Sequence, residues 1–152
     1  MTRLSLCRIA AALMLAAALP ACESVGGLLE DDEPTIEDLS AREIFQRAET
    51  QLAEGNEIGA AETFSEIERL YPFSQLAKRA IVMSAFASYE AGDFAAARAA
   101  AQRYIDLYPS DEDAAYAQYL IALTHYDTIV DVQRDQKMTE NALRELTEVA
   151  RR

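Results

Sequence analysis

"GNEIGAAETFSEIERLYPFSQLAKRA", residues 55–80, and "GDFAAARAAAQRYIDLYPSDEDAAYA", residues 92–117, are two versions of one pattern. Gly55 and Gly92 stand 37 residues apart, as do Leu70-Tyr71-Pro72 and Leu107-Tyr108-Pro109. Ala77 and Ala114, Ala80 and Ala117, and Tyr89 and Tyr126 keep the same offset. Several independent matches at one spacing mark an internal repeat, and a repeat of this length is one supersecondary unit that buries its apolar face only by stacking on the next.

The residues say what the unit is. Ser40-Ala41-Arg42-Glu43 is a capping box: the serine hydroxyl takes the Glu43 amide, and the Glu43 carboxylate reaches back. The helix it opens should stop near Gly55. Asn56 and Asp93 each follow a glycine and are placed to cap the next helix. Pro72 and Pro109 end those second helices, and Ser74 and Ser110 restart the chain. Phe64, Ile67, Leu70, Tyr104 and Leu107 recur at three- or four-residue spacing and mark a buried stripe. Alanines 60, 61, 96 and 97 let neighbouring helices approach closely. The pattern predicts helices over 41–54, 57–71, 75–91, 94–108, 111–130 and 138–151. Small residues at fixed places and a period in the mid-thirties resemble the tetratricopeptide (TPR) helix-pair repeat.

The predicted fold is therefore all-α: a TPR-like solenoid of antiparallel helix pairs over 39–152, in units of about 41–73, 74–110 and 111–152. The third unit is irregular. Leu146, Val149 and Arg152 fall where Phe64, Ile67 and Leu70 fall in the first, after an insertion of about eight residues within "TIVDVQRDQKMT", residues 128–139. The sequence stops where a Tyr-Pro is due. The expectation is a piece of a longer solenoid, because an end repeat has to cover the last apolar face.

Ahead of the repeats, "MTRLSLCR" carries Arg3 and Arg8 and no acid, and Ile9–Leu19 is an uncharged apolar run. That is a basic segment and a hydrophobic segment of secretory-signal length, too short to span a bilayer. It closes in "LPACES", residues 19–24, with small Ala21 before Cys22. This resembles a bacterial lipobox, cut between Ala21 and Cys22, with Cys22 lipid-modified. Two or three acyl chains would hold the chain stably at a membrane. Cys7 leaves with residues 1–21, so no intrachain disulfide remains. Glu23 rather than aspartate follows the cysteine, which leans toward the outer membrane. Residues 22–38, with Gly26, Gly27, Pro34 and an acidic cluster, read as a flexible tether of at most roughly 55 Å.

The chain carries 14 basic and 26 acidic residues. Without Arg3 and Arg8 the balance is 12 against 26, a net charge of −14. Such a surface does not favour nucleic acid or anionic lipid. A lipid anchor suits a chain whose own surface does not hold it to a membrane.

Taken in order, the lipobox, the acidic tether, "RLYPFS", "YPSDEDAAYAQYLIALTHY" and "DVQRDQ" resemble the BamD family of outer-membrane β-barrel assembly lipoproteins. The resemblance covers residues 20–152. It implies a lipid-anchored protein of the outer membrane facing the periplasm, a component of the BAM complex that helps recruit and insert outer-membrane proteins. The implied partners are BamA, the other BAM lipoproteins and unfolded outer-membrane protein segments, with no cofactor. Family members have five TPR units. Only about three are present here, and the absent C-terminal ones carry much of the contact to BamA. Another TPR envelope lipoprotein, pilotin-like or linked to cell division or peptidoglycan, is the rival reading.

TPR solenoids bind segments in the concave groove lined by their first helices. With Gly55 and Gly92 as equivalent turns, that groove takes Arg42, Phe45, Glu49 and Leu52 from the first unit. The second supplies Arg79, Val82, Phe86, Tyr89 and Glu90, and the third Tyr116, Tyr119, Leu123 and Tyr126. The candidate peptide patch is Arg79, Phe86, Tyr89, Tyr116 and Tyr119: rings for burial, a guanidinium for a carboxylate. Inter-helix packing is the competing role for each ring, and pairing with helix-face acids for Arg42 and Arg79. Asp131, Arg134 and Asp135 in "DVQRDQ" form a candidate partner loop, or else a turn closed by Asp–Arg bonds.

Catalysis finds little support. His125 is the one histidine, falls within a predicted helix, and has no second ligand at metal-binding spacing. No G-x-S-x-G or Gly-rich phosphate loop occurs. Asp31 and Asp32 lie in the tether, where nothing holds their geometry. The expectation is a non-enzymatic adaptor without metal or cofactor.

Overall fold

The computed structural model describes residues 35–129 and 136–152. A short 3-10 turn, Ile36–Asp38, leads into six helices. They are α1 (Ala41–Ala53), α2 (Glu57–Leu70), α3 (Gln75–Glu90), α4 (Phe94–Leu107), α5 (Ala114–Tyr126) and α6 (Lys137–Val149). Each packs against the next, α1 also touches α3, and α3 touches α5. That is the contact pattern of stacked helix pairs, a TPR-like all-α solenoid.

Local chemistry sets the ends of the pairs. Ser40 and Glu43 make both halves of the capping box that opens α1. Gly55 and Gly92 have φ of 79° and 76°, the left-handed conformation that closes a helix. At the first, the Gly55 amide donates to Leu52 and the Asn56 amide to Gln51; at the second, Gly92 donates to Tyr89 and Asp93 to Ser88. These are two Schellman motifs. The residue that finishes each one starts the next helix: Asn56 accepts from the Gly59 amide and Asp93 from the Ala96 amide. The repeat is visible even in dihedrals, since the cap residues Tyr71 and Tyr108 share φ of −132°.

Two core clusters meet on α3. One joins Ile44, Phe45, Ala48, Ala60, Phe64 and Ile67 to Ala77, Ala80 and Ala87. The other joins Ile81, Val82 and Ala85 to Ala100, Ala101, Tyr104, Ala117, Leu120 and Ile121. So α3 is buried on two sides, and its alanines set how closely the first unit approaches. Phe64, Ile67 and Tyr104 are fully buried, as the helical stripe predicts.

Three expectations need correction. Helix α5 starts at Ala114, not residue 111, and ends at Tyr126, not 130. The delay has a cause: the Asp111 carboxylate accepts from Lys78, from the Tyr104 hydroxyl and from the Asp113 amide, which holds the segment after Pro109 as a turn. Leu107 is 54% exposed rather than buried, because it is the last residue of α4 and points past the core. Leu146, matched in sequence to buried Phe64, is 40% exposed. No described helix covers the outer side of α6, whose one buried residue is Ala142.

Candidate functional site

Helices α1, α3 and α5 are the first helices of successive pairs and lie side by side, in contact through α3. Short turns reverse the chain between them, so the three run parallel and their side chains form one continuous face. Its first-unit end is built on Phe45, which is 5% exposed and meets Phe64 edge-on, with ring centroids 5.1 Å apart at 68°. Arg79 of α3 reaches back over this ring. Its guanidinium carbon sits 5.1 Å from the Phe45 centroid, and a terminal nitrogen is 3.9 Å from Glu49. Arg79 keeps a 62% exposed side chain, so both contacts are solvent-screened and leave its outer donors accessible.

The third-unit end is aromatic. Phe86 and Tyr89 are half-buried against the second core cluster. The Tyr89 hydroxyl donates to Asp127, which caps α5, and its ring lies 5.8 Å from that of Phe94. The bond to Asp127, helped by burial, pushes the Tyr89 phenol up to about 12. Tyr116 and Tyr119 are each 40% exposed and Tyr126 is 61% exposed. Burial, then the Glu90 carboxylate and Tyr119, raise the Tyr116 phenol. Phe86 and Tyr89 thus stand on α3 and Tyr116 and Tyr119 on the neighbouring first helix α5, and the Arg79 contacts are made toward α1.

Ala21, Cys22, Asp131, Arg134 and Asp135 lie outside the described residues. Tyr71, at the end of α2, donates its hydroxyl to the Leu39 carbonyl at 2.6 Å and ties α2 to the segment entering α1. His125 is half-buried with an unpartnered Nδ1, and burial followed by nearby Arg98 lowers its pKa. Among the described residues no cluster of His, Cys, Asp and Glu is arranged to hold a metal. No described helix is long and apolar enough to cross a membrane.

Sequence reading missed the polar knot beside this face. Asp111 joins Lys78 of α3 to Tyr104 of α4, and these donors hold its carboxyl down at about 2. Burial and Asp111 together raise the Tyr104 phenol. The first unit has no counterpart, since Ser74 and Ile67 stand at the positions of Asp111 and Tyr104. A difference between repeats is invisible to a search for their likeness.

The fold and its aromatic face define a TPR-like helical-repeat protein. A family model described as "YfiO: Outer membrane lipoprotein" matches residues 37–152, and the chain belongs to that family. Curated relatives carry the name outer membrane protein assembly factor BamD. The one from Caulobacter vibrioides is 36% identical over 143 residues, covering 93% of this chain and 47% of its own length. That from Rickettsia prowazekii is 36% identical over 80 residues, 53% of this chain and 32% of the relative. That from Neisseria meningitidis serogroup A is 28% identical over 120 residues, 79% and 45% of the two chains. The chain therefore spans about half the length, or less, of the curated relatives it matches.

Proposed function

We propose that this chain is a non-enzymatic component of the outer-membrane β-barrel assembly complex and receives unfolded outer-membrane protein segments on the face formed by α1, α3 and α5. The observation that carries the reading is the 36% identity with the Caulobacter vibrioides assembly factor across 93% of the chain. Cleavage after Ala21 and lipidation of Cys22 would anchor it to the outer membrane, with the solenoid in the periplasm. Phe86, Tyr89, Tyr116 and Tyr119 supply apolar surface with polar rims, which suits the alternating aromatic residues of barrel strands. Arg79, already facing outward, supplies a donor for a carboxylate. BamA is the expected partner, with Asp131, Arg134 and Asp135 as its candidate contact loop.

The test is a pull-down of tagged full-length chain from mild-detergent extracts of the envelope. Recovery of BamA with barrel precursors is expected. Barrel precursors without BamA would assign the partner site to repeats beyond those present. Division or pilus proteins in place of both would refute the proposal. Sensitivity of Cys22 processing to globomycin tests the anchor separately.

A further inference from the structure

Between the second helices α2 and α4, over a floor made by α3, lies a cleft of about 470 Å³. Ligand sites commonly have this size. Ser84 and Ser88 of the floor stand two residues either side of Phe86, so they project from the other side of α3. The cleft therefore opens away from the face formed by α1, α3 and α5. Ala61, Ala96 and Ala100 line it, and Ile58, 66% exposed, stands at its lip. The Ser84 hydroxyl is used, since it donates to the Ala61 carbonyl at 3.0 Å. Ser88 is 5% exposed and has no side-chain hydrogen bond among the described residues, so a buried hydroxyl turns unpartnered onto the cleft it lines. Such a group is uncommon in a folded chain and costs free energy until something bonds it.

The next unit shows what this space accepts. At the 37-residue offset Ala61 becomes Arg98, Ser84 becomes Ile121 and Ser88 becomes His125. Three small residues of the first unit are thus large in the second. There Arg98 reaches from α4 to α5, and its guanidinium donates to the fully buried Thr124 hydroxyl at 3.2 Å. The fold itself seats an arginine against a buried hydroxyl at the position that Ala61 leaves empty. The charges around the cleft suit the same guest. Glu62 and Asp93 line it, and neither forms an ion pair among the described residues. One Asp93 oxygen accepts from the Ala96 amide, which leaves the other. Two arginines of α4 bear on the balance. Arg103 lines the cleft ten residues after Asp93, about 15 Å along the helix, and Glu68 matches its charge at 2.8 Å. Arg98 keeps its charge but projects from the other side of α4, two residues from Ala96 and from Ala100.

We infer that this cleft is a docking site for an arginine side chain carried by a partner protein. The aliphatic stem lies over Ala61, Ala96 and Ala100, and the guanidinium donates to the Ser88 hydroxyl and to the Glu62 and Asp93 carboxylates. Arginine fits better than lysine because its planar fork serves several acceptors at once. The arginine is one held in a chain, because Arg103 is already matched by Glu68 and no cation lining the cleft is left for the α-carboxylate of a free amino acid. The inference is independent of the peptide-groove reading and adds a second surface on the other side of the solenoid.

The test is an NMR titration of the isotope-labelled full chain, in mild detergent, with N-acetyl-arginine methylamide over the millimolar range. The comparison compounds are N-acetyl-citrulline methylamide, which is nearly isosteric and neutral, and free arginine. The capped arginine should shift the Ala61, Ser88 and Asp93 amides saturably and bind at least about fivefold tighter than the citrulline compound, because charge-assisted bonds are the stronger ones. Glu62→Gln should weaken it by about threefold and narrow that gap. Ala61→Arg gives the first unit the side chain that the second has at this position, and should abolish binding. If that variant fails to fold, Ser88→Ala takes its place and should weaken binding severalfold. No saturable shift, equal affinity for the citrulline compound, binding that survives Ala61→Arg or is untouched by Ser88→Ala, or a preference for free arginine would each overturn the inference and leave the groove reading standing.

Discussion

Replacing Tyr104 by phenylalanine isolates the knot that sets the second unit against the third. The ring is fully buried and its hydroxyl donates to Asp111, so Tyr104→Phe keeps the packing and removes one charge-assisted bond. A hydrogen bond to a charged partner is worth about 1.5–3 kcal/mol, and no cavity forms to add to that. Asp111 retains Lys78 and the Asp113 amide, which argues for the lower half of that range. The loss should appear in urea unfolding at pH 7 as a lower midpoint with an unchanged slope. Acid provides the internal check. Asp111 has a folded-state pKa of about 2 against an ordinary 3.8. A depressed carboxyl contributes stability that is complete above 3.8 and is lost as pH falls toward 2. Without the tyrosine hydroxyl that pKa moves back toward 3.8, so the two proteins should converge in stability between pH 4 and pH 2. A cost under about 0.5 kcal/mol at pH 7, or a difference independent of pH, would refute the assignment of Asp111 as the hub.

Other consequences follow from single residues. Phe64→Ala removes a fully buried ring stacked edge-on to Phe45 and should cost about 3–5 kcal/mol in the same unfolding assay. At Gly92, a new Cβ meets nothing within 4 Å, so Gly92→Ala should cost only the left-handed strain, about 1–2 kcal/mol, with Gly92→Asn milder. Spectrophotometric titration should resolve one tyrosine near pH 12 that shifts toward the ordinary range in Asp127→Ala and is absent in Tyr89→Phe. Arg79→Glu with Phe86→Ala should weaken aromatic-peptide binding severalfold by anisotropy, since the pair removes a surface cation and a groove ring; unchanged affinity would exclude both from the patch.

Helix number, order and most helix ends were legible because they are decided locally. Ser40, Asn56, Asp93 and the two glycines act on amides a few residues away, and a 37-residue offset displays them twice. The exceptions are long-range. Asp111 reads as the start of a helix until Lys78, 33 residues back, and Tyr104 claim its carboxylate. Leu107 and Leu146 fit the apolar stripe, but burial also needs a helix to lie over them. The placement of Phe86, Tyr89, Tyr116 and Tyr119 on first helices was legible, because the repeat assigns them there. Pairing of Arg79 with a helix-face acid was one of the roles open in the sequence, but its reach across to Phe45 and Glu49 on the neighbouring unit was not legible there.

Site-specific photo-crosslinking to an unfolded barrel precursor tests the central claim most directly. A photoreactive phenylalanine placed at Phe86 or Tyr119 faces the proposed groove, and one at exposed Gln102 on α4 serves as the off-site position. Crosslinks from 86 and 119, and none from 102, are the predicted result. Equal labelling from all three positions, or labelling from 102 alone, would contradict substrate reception on the first-helix face.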